Sequence, residues 1–553
     1  MKTTTVLYKM KKIVLAVCLI ALLAPAVQAS DFLKGKILRI STESISERDG
    51  GSLSLSLSGL SRSSAVSLLD VERAIKEAAF DKDVAMIYLD VNHVQGDLAS
   101  LEEIRECLKI FSRNGKPVVA YASALDNSSY YLATAADRIF LYPQGEGTLT
   151  GAASTQVFLK DLLDTLGVKV QLIRHGKYKS AGEMYIRNDI SPENRLQYEE
   201  MLGSRWGHCV EEMAASRGVS ADSLQAWTHA LALSSAQSWV DKGLVDGLKY
   251  RDEMEAYLCH LFGTKLPKKL KVTGVKEYAK SLRKGPSAKK VAVIYADGEI
   301  SRSGSGVVGE KLARTISAIK ADSTVKAVVF RVNSPGGEVV ASDIIRREIE
   351  MLGRVKPVIA SYGAYAASGG YLISAGCRRI FTDNTTLTGS IGVFGTVITF
   401  GEALEKHLHV HPVVIGTNAH SAMTAPIDPL TEEEQAWYQE RIEGIYDAFV
   451  GVVSEGRNLS RAQVDSLAQG RVWTGRDAVR LGLADETGTL LDAIGYAAQQ
   501  AGLFNYRIEA YPARQDGLKA LLGREDTAEP LVRFQEWIQP GFTAHARFPY
   551  IIL

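Results

Sequence analysis

The sequence has almost no net charge, with 64 Lys and Arg against 63 Asp and Glu, a formal +1 over 553 residues. That balance gives no reason to propose nucleic acid as a partner. Cysteine is scarce at five. Cys107, Cys209, Cys259 and Cys377 are scattered, with none of the C-x-x-C spacing of a metal site. Buried free thiols are the plain reading for them, although an export compartment permits a disulfide. The N-terminal apolar run, Ile13 to Val27, falls short of the roughly 20 residues a spanning helix usually needs, and Pro25 interrupts it. Cys18 follows Val17 inside that run, where a lipoprotein cleavage site wants a small residue, so it is not read as a lipid anchor.

What remains is ordinary globular composition, 46% hydrophobic and 23% charged, in a chain too long for one core. Lys9, Lys11 and Lys12 precede the apolar run and Val27-Gln28-Ala29 ends it with small residues. Residues 1–29 therefore read as an export signal, with an uncleaved anchor as the alternative. Either way the bulk of the protein lies outside the cytoplasm.

The rest of the chain is written twice. From Pro117 it reads PVVAYASALDNSSYYLATAADRIFLYPQGEGTLTG, and from Pro357 PVIASYGAYAASGGYLISAGCRRIFTDNTTLTGSIG. Pro-Val, Tyr-Leu, Ile-Phe and Leu-Thr-Gly recur in order. Upstream, Asp90-Val91-Asn92 answers Arg331-Val332-Asn333; downstream, Lys179-Ser180-Ala181 answers His420-Ser421-Ala422. This is a tandem duplication. Val291 to Tyr295 and Val325 to Val332 read as buried strands, Val308 to Lys320 as a helix between them, and Val358 to Ser361 as a strand followed by a small-residue helix. Such alternation predicts an α/β fold with parallel strands. The expected domains are 30–264 and 290–510. Between them, 265–289 is basic and poor in aromatics, read as a solvated linker or charged helix, or else as contact with an anionic membrane surface. The tail 511–553 carries no pattern that assigns it a role.

Two glycine-rich segments of the second copy carry chemistry. Asn333-Ser-Pro-Gly-Gly337 follows a strand, and its glycines let backbone N–H groups approach another molecule. Ala366-Ala-Ser-Gly-Gly-Tyr371 follows another strand and opens a helix, which displays Ser368 at a sharp turn beside a positive helix end. Alone, such a small-residue run could merely let a helix pack on a sheet. The two segments in this order supply a nucleophile, Ser368, and an oxyanion site from the N–H groups of Gly337 and Gly369. Serine needs a base. His407, His409, His411 and His420 follow it without a clear triad partner, while Lys179 of the first copy can serve if held neutral. That requires burial to lower its pKa by roughly 2–3 units, costing about 3–4 kcal/mol of folding stability.

Ser334-Pro-Gly-Gly337, Ala366-Ala-Ser-Gly-Gly-Tyr371, Leu387-Thr-Gly-Ser-Ile-Gly392 and Tyr178-Lys-Ser-Ala181 together resemble the signal peptide peptidase A family in its long, tandem form. The resemblance implies two ClpP/crotonase-like domains, Ser368 as nucleophile and Lys179 as base. It further implies that Ser390 orients the lysine, with the Gly392 carbonyl as a second acceptor. It implies a membrane-bound homotetramer of the bacterial inner membrane, with its catalytic domains on the extracytoplasmic side, degrading released signal peptides without a cofactor. Each copy then keeps half a site: His420 stands where the first copy has Lys179, and Ser128-Ser129-Tyr130 where the second has Ser368-Gly-Gly370. Ser128 with His420 is a conceivable second, weak site. Tyr362-Gly-Ala-Tyr365 stands where the family usually has an acidic residue, which leaves the substrate surface open. Two rivals are a crotonase-type acyl-CoA enzyme, disfavoured because CoA is cytoplasmic, and a non-catalytic membrane scaffold.

Overall fold

A computed structural model describes residues 32–512, apart from 42–44, 49–50, 57–58, 93, 95, 283–286 and 305, together with the strand Thr543–Arg547. The expected export signal lies outside the described residues.

Each half of the chain builds a layered α/β unit around its own sheet. The first sheet runs Gly247–Leu248, Arg138–Gly147, Val118–Leu125, Val84–Asp90, Lys36–Ser41, Val272–Gly274, and every pair is parallel. The second runs Val472–Thr474, Leu387–Gly389, Val358–Ala367, Val325–Ser334, Lys290–Asp297, Arg507–Tyr511, with Arg379–Thr382 and Glu486–Thr487 branching from Val358–Ala367; it is parallel except where Leu387–Gly389 meets Val472–Thr474. Its inner strands are Val-rich and buried nearly throughout, as strands covered on both faces must be. The duplication persists in the helices. Two of 26 residues, Pro192–Arg217 and Glu432–Arg457, occupy matching places. Ser191 and Thr431 cap their first turns, and the left-handed residues Gly218 and Asn458 end them. Cys107, Cys209, Cys259 and Cys377 are buried and unpaired.

The basic stretch read as a solvated linker or charged helix does contain a helix, and part of it packs into the first core. Val272–Gly274 adds a strand to the first sheet, and the helix Val275–Ser281 buries Val275 and Tyr278 in the first core. Its lysines occupy the outer face, which is why composition alone suggested a solvated segment. Likewise the strand expected to stop at Ser361 continues to Ala367. Small residues suit that continuation, because Tyr365–Ala367 pairs with Leu387–Gly389 in a fully packed layer.

A third sheet joins the halves, in the order Val307–Val308, Ile300–Ser301, Gly336–Glu338, Thr543–Arg547, Val393–Thr399, Lys169–His175. Lys169–His175 of the first half runs antiparallel to Val393–Thr399 of the second, with His175 opposite Val393. That register carries the loop holding Lys179 to the loop holding Ser390. The N-terminal part of the helix Leu98–Arg113 completes the junction. Its Glu103 and the more distant Glu47 grip the buried Arg331 guanidinium, each at 2.6 Å. Its Glu102 accepts the backbone N–H groups of Asn384 and Thr385 at 2.9 and 3.1 Å.

Candidate active site

Ser368 ends the strand Val358–Ala367 and caps the short helix Gly369–Leu372 with φ 56° and ψ −117°. A non-glycine residue rarely adopts this conformation. The neighbours hold it there. The Ser368 N–H donates to the Gly389 carbonyl at 2.8 Å and its carbonyl accepts from Leu372 N–H at 2.9 Å. The side chain is fully buried.

Lys179 reaches this serine from the other half. Its Nζ lies 2.7 Å from Ser368 Oγ and 3.0 Å from both the carbonyl and the Oγ of Ser390. Those three contacts fit an ammonium with three N–H donors and equally a neutral amine, whose lone pair would accept the Ser368 hydroxyl proton. The lysine is buried, with no carboxylate among its hydrogen-bond partners, and burial alone brings its pKa from 10.5 down to about 7. At the base of the side chain, the Lys179 carbonyl accepts from Arg174 at 2.7 Å. Arg174 pairs in turn with buried Glu183, which accepts from Ser191 and Asn194.

Gly337 lies beside the Ser368–Gly369 turn. Its φ is 157°, and a Cβ there would fall 1.9 Å from the Ile300 carbonyl oxygen, so no side chain fits. A Cβ at Gly369 would lie 3.2 Å from the Gly337 nitrogen, so the two glycine backbones approach closely. Ser390 takes a positive φ of 49°. The backbone acceptor for the lysine is the Ser390 carbonyl rather than that of Gly392. Gly392 contributes space instead, since a Cβ there would fall 3.3 Å from Lys179 Cδ and 2.8 Å from Gly470 Cα.

The strand Thr543–Arg547 runs antiparallel to Gly336–Glu338 on one side and to Val393–Thr399 on the other, with Ala546 opposite Gly337. A piece of extended chain thus occupies the gap beside the Gly337 backbone. The histidines of the second copy stand elsewhere. His420 is half exposed and meets Glu434 and Glu433, and Ser128 lies within the helix Asn127–Ala133, without the positive φ of Ser368. Among the described residues no hydrogen bond joins the two. Arg174, Glu183 and the Gln469–Gly470 turn were not visible as site residues in the sequence. They act on the lysine's backbone, and only their glycine and buried charge could have flagged them.

The sequence pattern of Peptidase family S49 matches residues 110–263 and 350–504, once in each half. The chain belongs to peptidase family S49. It is 37% identical over 452 residues to Protease 4 of Haemophilus influenzae, covering 78% of this chain and 73% of that one. It is 31% identical over 453 residues to the chloroplastic serine protease SPPA of Arabidopsis thaliana, covering 80% and 66%. Among solved structures, a ClpP1 mutant from Listeria monocytogenes matches at a TM-score of 0.26 and 16% identity, over 36% of this chain and 94% of that one. As an S49 member of the tandem signal peptide peptidase A type, the protein is a serine peptidase. Membership of a peptidase family removes the acyl-CoA reading.

Proposed function

We propose that the protein is a membrane-associated endopeptidase that cuts released signal peptides and other hydrophobic peptides with a Ser368–Lys179 dyad. The observation that carries this reading is the 2.7 Å contact between Lys179 Nζ and Ser368 Oγ, made across the two copies in a buried setting. Neutral Lys179 takes the hydroxyl proton as Ser368 Oγ adds to the scissile carbonyl. The oxyanion forms against the Gly337 and Gly369 N–H groups. Collapse breaks the C–N bond, and the Lys179 ammonium returns the proton to the leaving amine. Water then adds to the acyl-enzyme by the same route and releases Ser368. An extended substrate would add as a strand along Gly336–Glu338, the mode in which backbone groups give affinity and side-chain pockets give selectivity. Among the described residues no helix is long and apolar enough to cross a membrane, so the N-terminal apolar run and the basic stretch before the second half are the features assigned to membrane contact.

Hydrolysis of a quenched apolar peptide by the purified protein, Ser368→Ala and Lys179→Ala tests this. Activity in the parent and none in either folded variant is expected. An inert parent across a broad peptide set would favour the scaffold instead.

The homotetramer of the resemblance finds support in the repeated halves. Ile45–Ser46 and Ile300–Ser301 are matching short strands, followed by Glu47 and Arg302. Within the chain Glu47 grips Arg331. The matching pair is Arg302 and Asp90, with both signs reversed and complementarity kept. In one chain Asp90 meets Arg39 at 2.7 Å, at a cavity of about 570 Å³ lined by Arg39, Tyr88 and Tyr121. In the second half the corresponding face is closed by Leu69 of the first. Copies stacked head to tail would repeat the internal contact around a ring. Light scattering should show Asp90→Arg and Arg302→Asp each dissociating the assembly and the double variant restoring it. Intact assemblies in both single variants would contradict this arrangement.

A further inference from the structure

The turn Ala468–Arg471 links the helix Arg461–Leu467 to the strand Val472–Thr474 and touches both loops that form the dyad. On one side the Tyr178 N–H donates to the Gln469 carbonyl at 2.9 Å. On the other, the Gly470 N–H donates to the Ile391 carbonyl at 2.8 Å, and the Ser390 N–H to the Arg471 carbonyl at 2.7 Å. Gly470 itself lies with φ 78° against the lysine's own backbone. A Cβ there would fall 2.6 Å from Lys179 N and Cβ and 2.7 Å from its Cα. Those are main-chain and stem atoms in a packed setting, so they cannot swing aside as a flexible side-chain tip could.

The turn is braced from behind. The Gln469 amide donates to Asp465 Oδ1 at 2.7 Å and to the Tyr446 hydroxyl at 3.3 Å. The Tyr446 ring stacks on His175, centroids 3.6 Å apart, and His175 ends the strand that leads to Lys179. One turn therefore fixes the lysine's backbone relative to Ser390 and ties both to the strand that crosses between halves.

We propose that Gly470 is a positioning residue of the peptidase site, setting through its bare Cα the distance from Lys179 to Ser390 and hence the reach of Nζ to Ser368. The inference rests on the dyad reading. Any side chain at this position displaces the Lys179 backbone, and a shift of about 1 Å at a reacting group can cost about 100-fold in rate.

The test compares Gly470→Ala, Gln469→Ala, Lys179→Ala and Gly218→Ala by thermal melting, kcat, KM and the pH dependence of kcat. Gly218 has φ 66° with no atom within 4 Å of an added Cβ, so its variant supplies left-handed strain without contact. Gly470→Ala is expected to fold, to keep KM within about twofold and to lose about 100-fold in kcat. Its acid limb should move to higher pH, because a displaced amine meets water and holds its proton more tightly. Gly218→Ala should keep the parent kcat and limb. Should Gly470→Ala fail to fold, Gln469→Ala carries the test, with a smaller drop in kcat and a limb shift of the same sign. Parent kcat and limb in folded Gly470→Ala, or failing that in Gln469→Ala, would overturn the proposal. Full activity in Lys179→Ala would instead remove the dyad itself.

Discussion

In the proposed dyad, Lys179 trades folding stability for reactivity. A lysine that ionises near 7 when folded and at 10.5 when unfolded binds fewer protons in the folded state between those values, so stability rises with pH across that window. Below pH 7 the full cost applies, about 4–5 kcal/mol at 1.36 kcal/mol per pH unit. Lys179→Met keeps most of the packing and removes the ionisable group. After the loss of the lysine's hydrogen bonds, a net gain of about 2 kcal/mol is expected in urea unfolding at pH 7, shrinking toward pH 10.5. An unchanged midpoint at pH 7 would show that the lysine carries no such cost. Ser390→Ala removes one of the two oxygens that orient the amine and leaves the carbonyl. A loss of about 0.5–1.5 kcal/mol, about 2- to 13-fold in kcat, is the expected outcome, with KM little changed. Ser368 was legible in the sequence because a glycine pair after a strand announces a turn. The backbone role of Ser390 was not, since nothing in Leu-Thr-Gly-Ser tells which of its oxygens will face a lysine.

At the level of elements, periodicity located three inner strands of the second sheet and the helix Gly309–Ala321 between the first two, and its errors share one cause. Small residues and lysines were read by composition, whereas their fate depended on what packs beside them. Gly363 to Ala367 continues a strand because Leu387–Gly389 is there to pair with it, and Val272–Gly274 extends a sheet whose edge the sequence does not mark. The strand Thr543–Arg547 was illegible for the same reason, since it forms only between two strands distant in sequence. Its position makes a prediction. Ending the chain after Pro512 should free the backbone of Gly336–Glu338 and raise kcat/KM for an extended peptide by several-fold, roughly 1 kcal/mol of binding. Unchanged kinetics would mean that this strand does not compete with substrate.

For the whole molecule, the duplication was the most legible feature and also the one that explains the site. The proposed dyad is assembled between two halves with complementary losses, and the antiparallel pairing of Lys169–His175 with Val393–Thr399 is the physical link between them. The charged junction was hidden, because Glu47, Glu103 and Arg331 are far apart in sequence and buried charges carry no compositional signal. Burial, followed by its neighbour's charge, raises the pKa of Glu72, and burial likewise raises that of Glu103, so Arg331 serves a cluster that is short of cations. Arg331→Met takes from Glu47 and Glu103 the cation they share, leaving Glu103 with the Leu490 N–H, and should destabilise the protein by about 3–5 kcal/mol. Chemical denaturation measures it, and a change below about 1 kcal/mol would mean that the junction relaxes around the loss.

The central claim is that a lysine from one copy is the neutral base for a serine of the other. The rate of Ser368 acylation by a small activated ester, followed from pH 5 to 10, tests it most directly. The structure predicts a single acid limb centred near pH 7, abolished in Lys179→Ala. A limb near 10, or one near 7 that survives in Lys179→Ala, would contradict it.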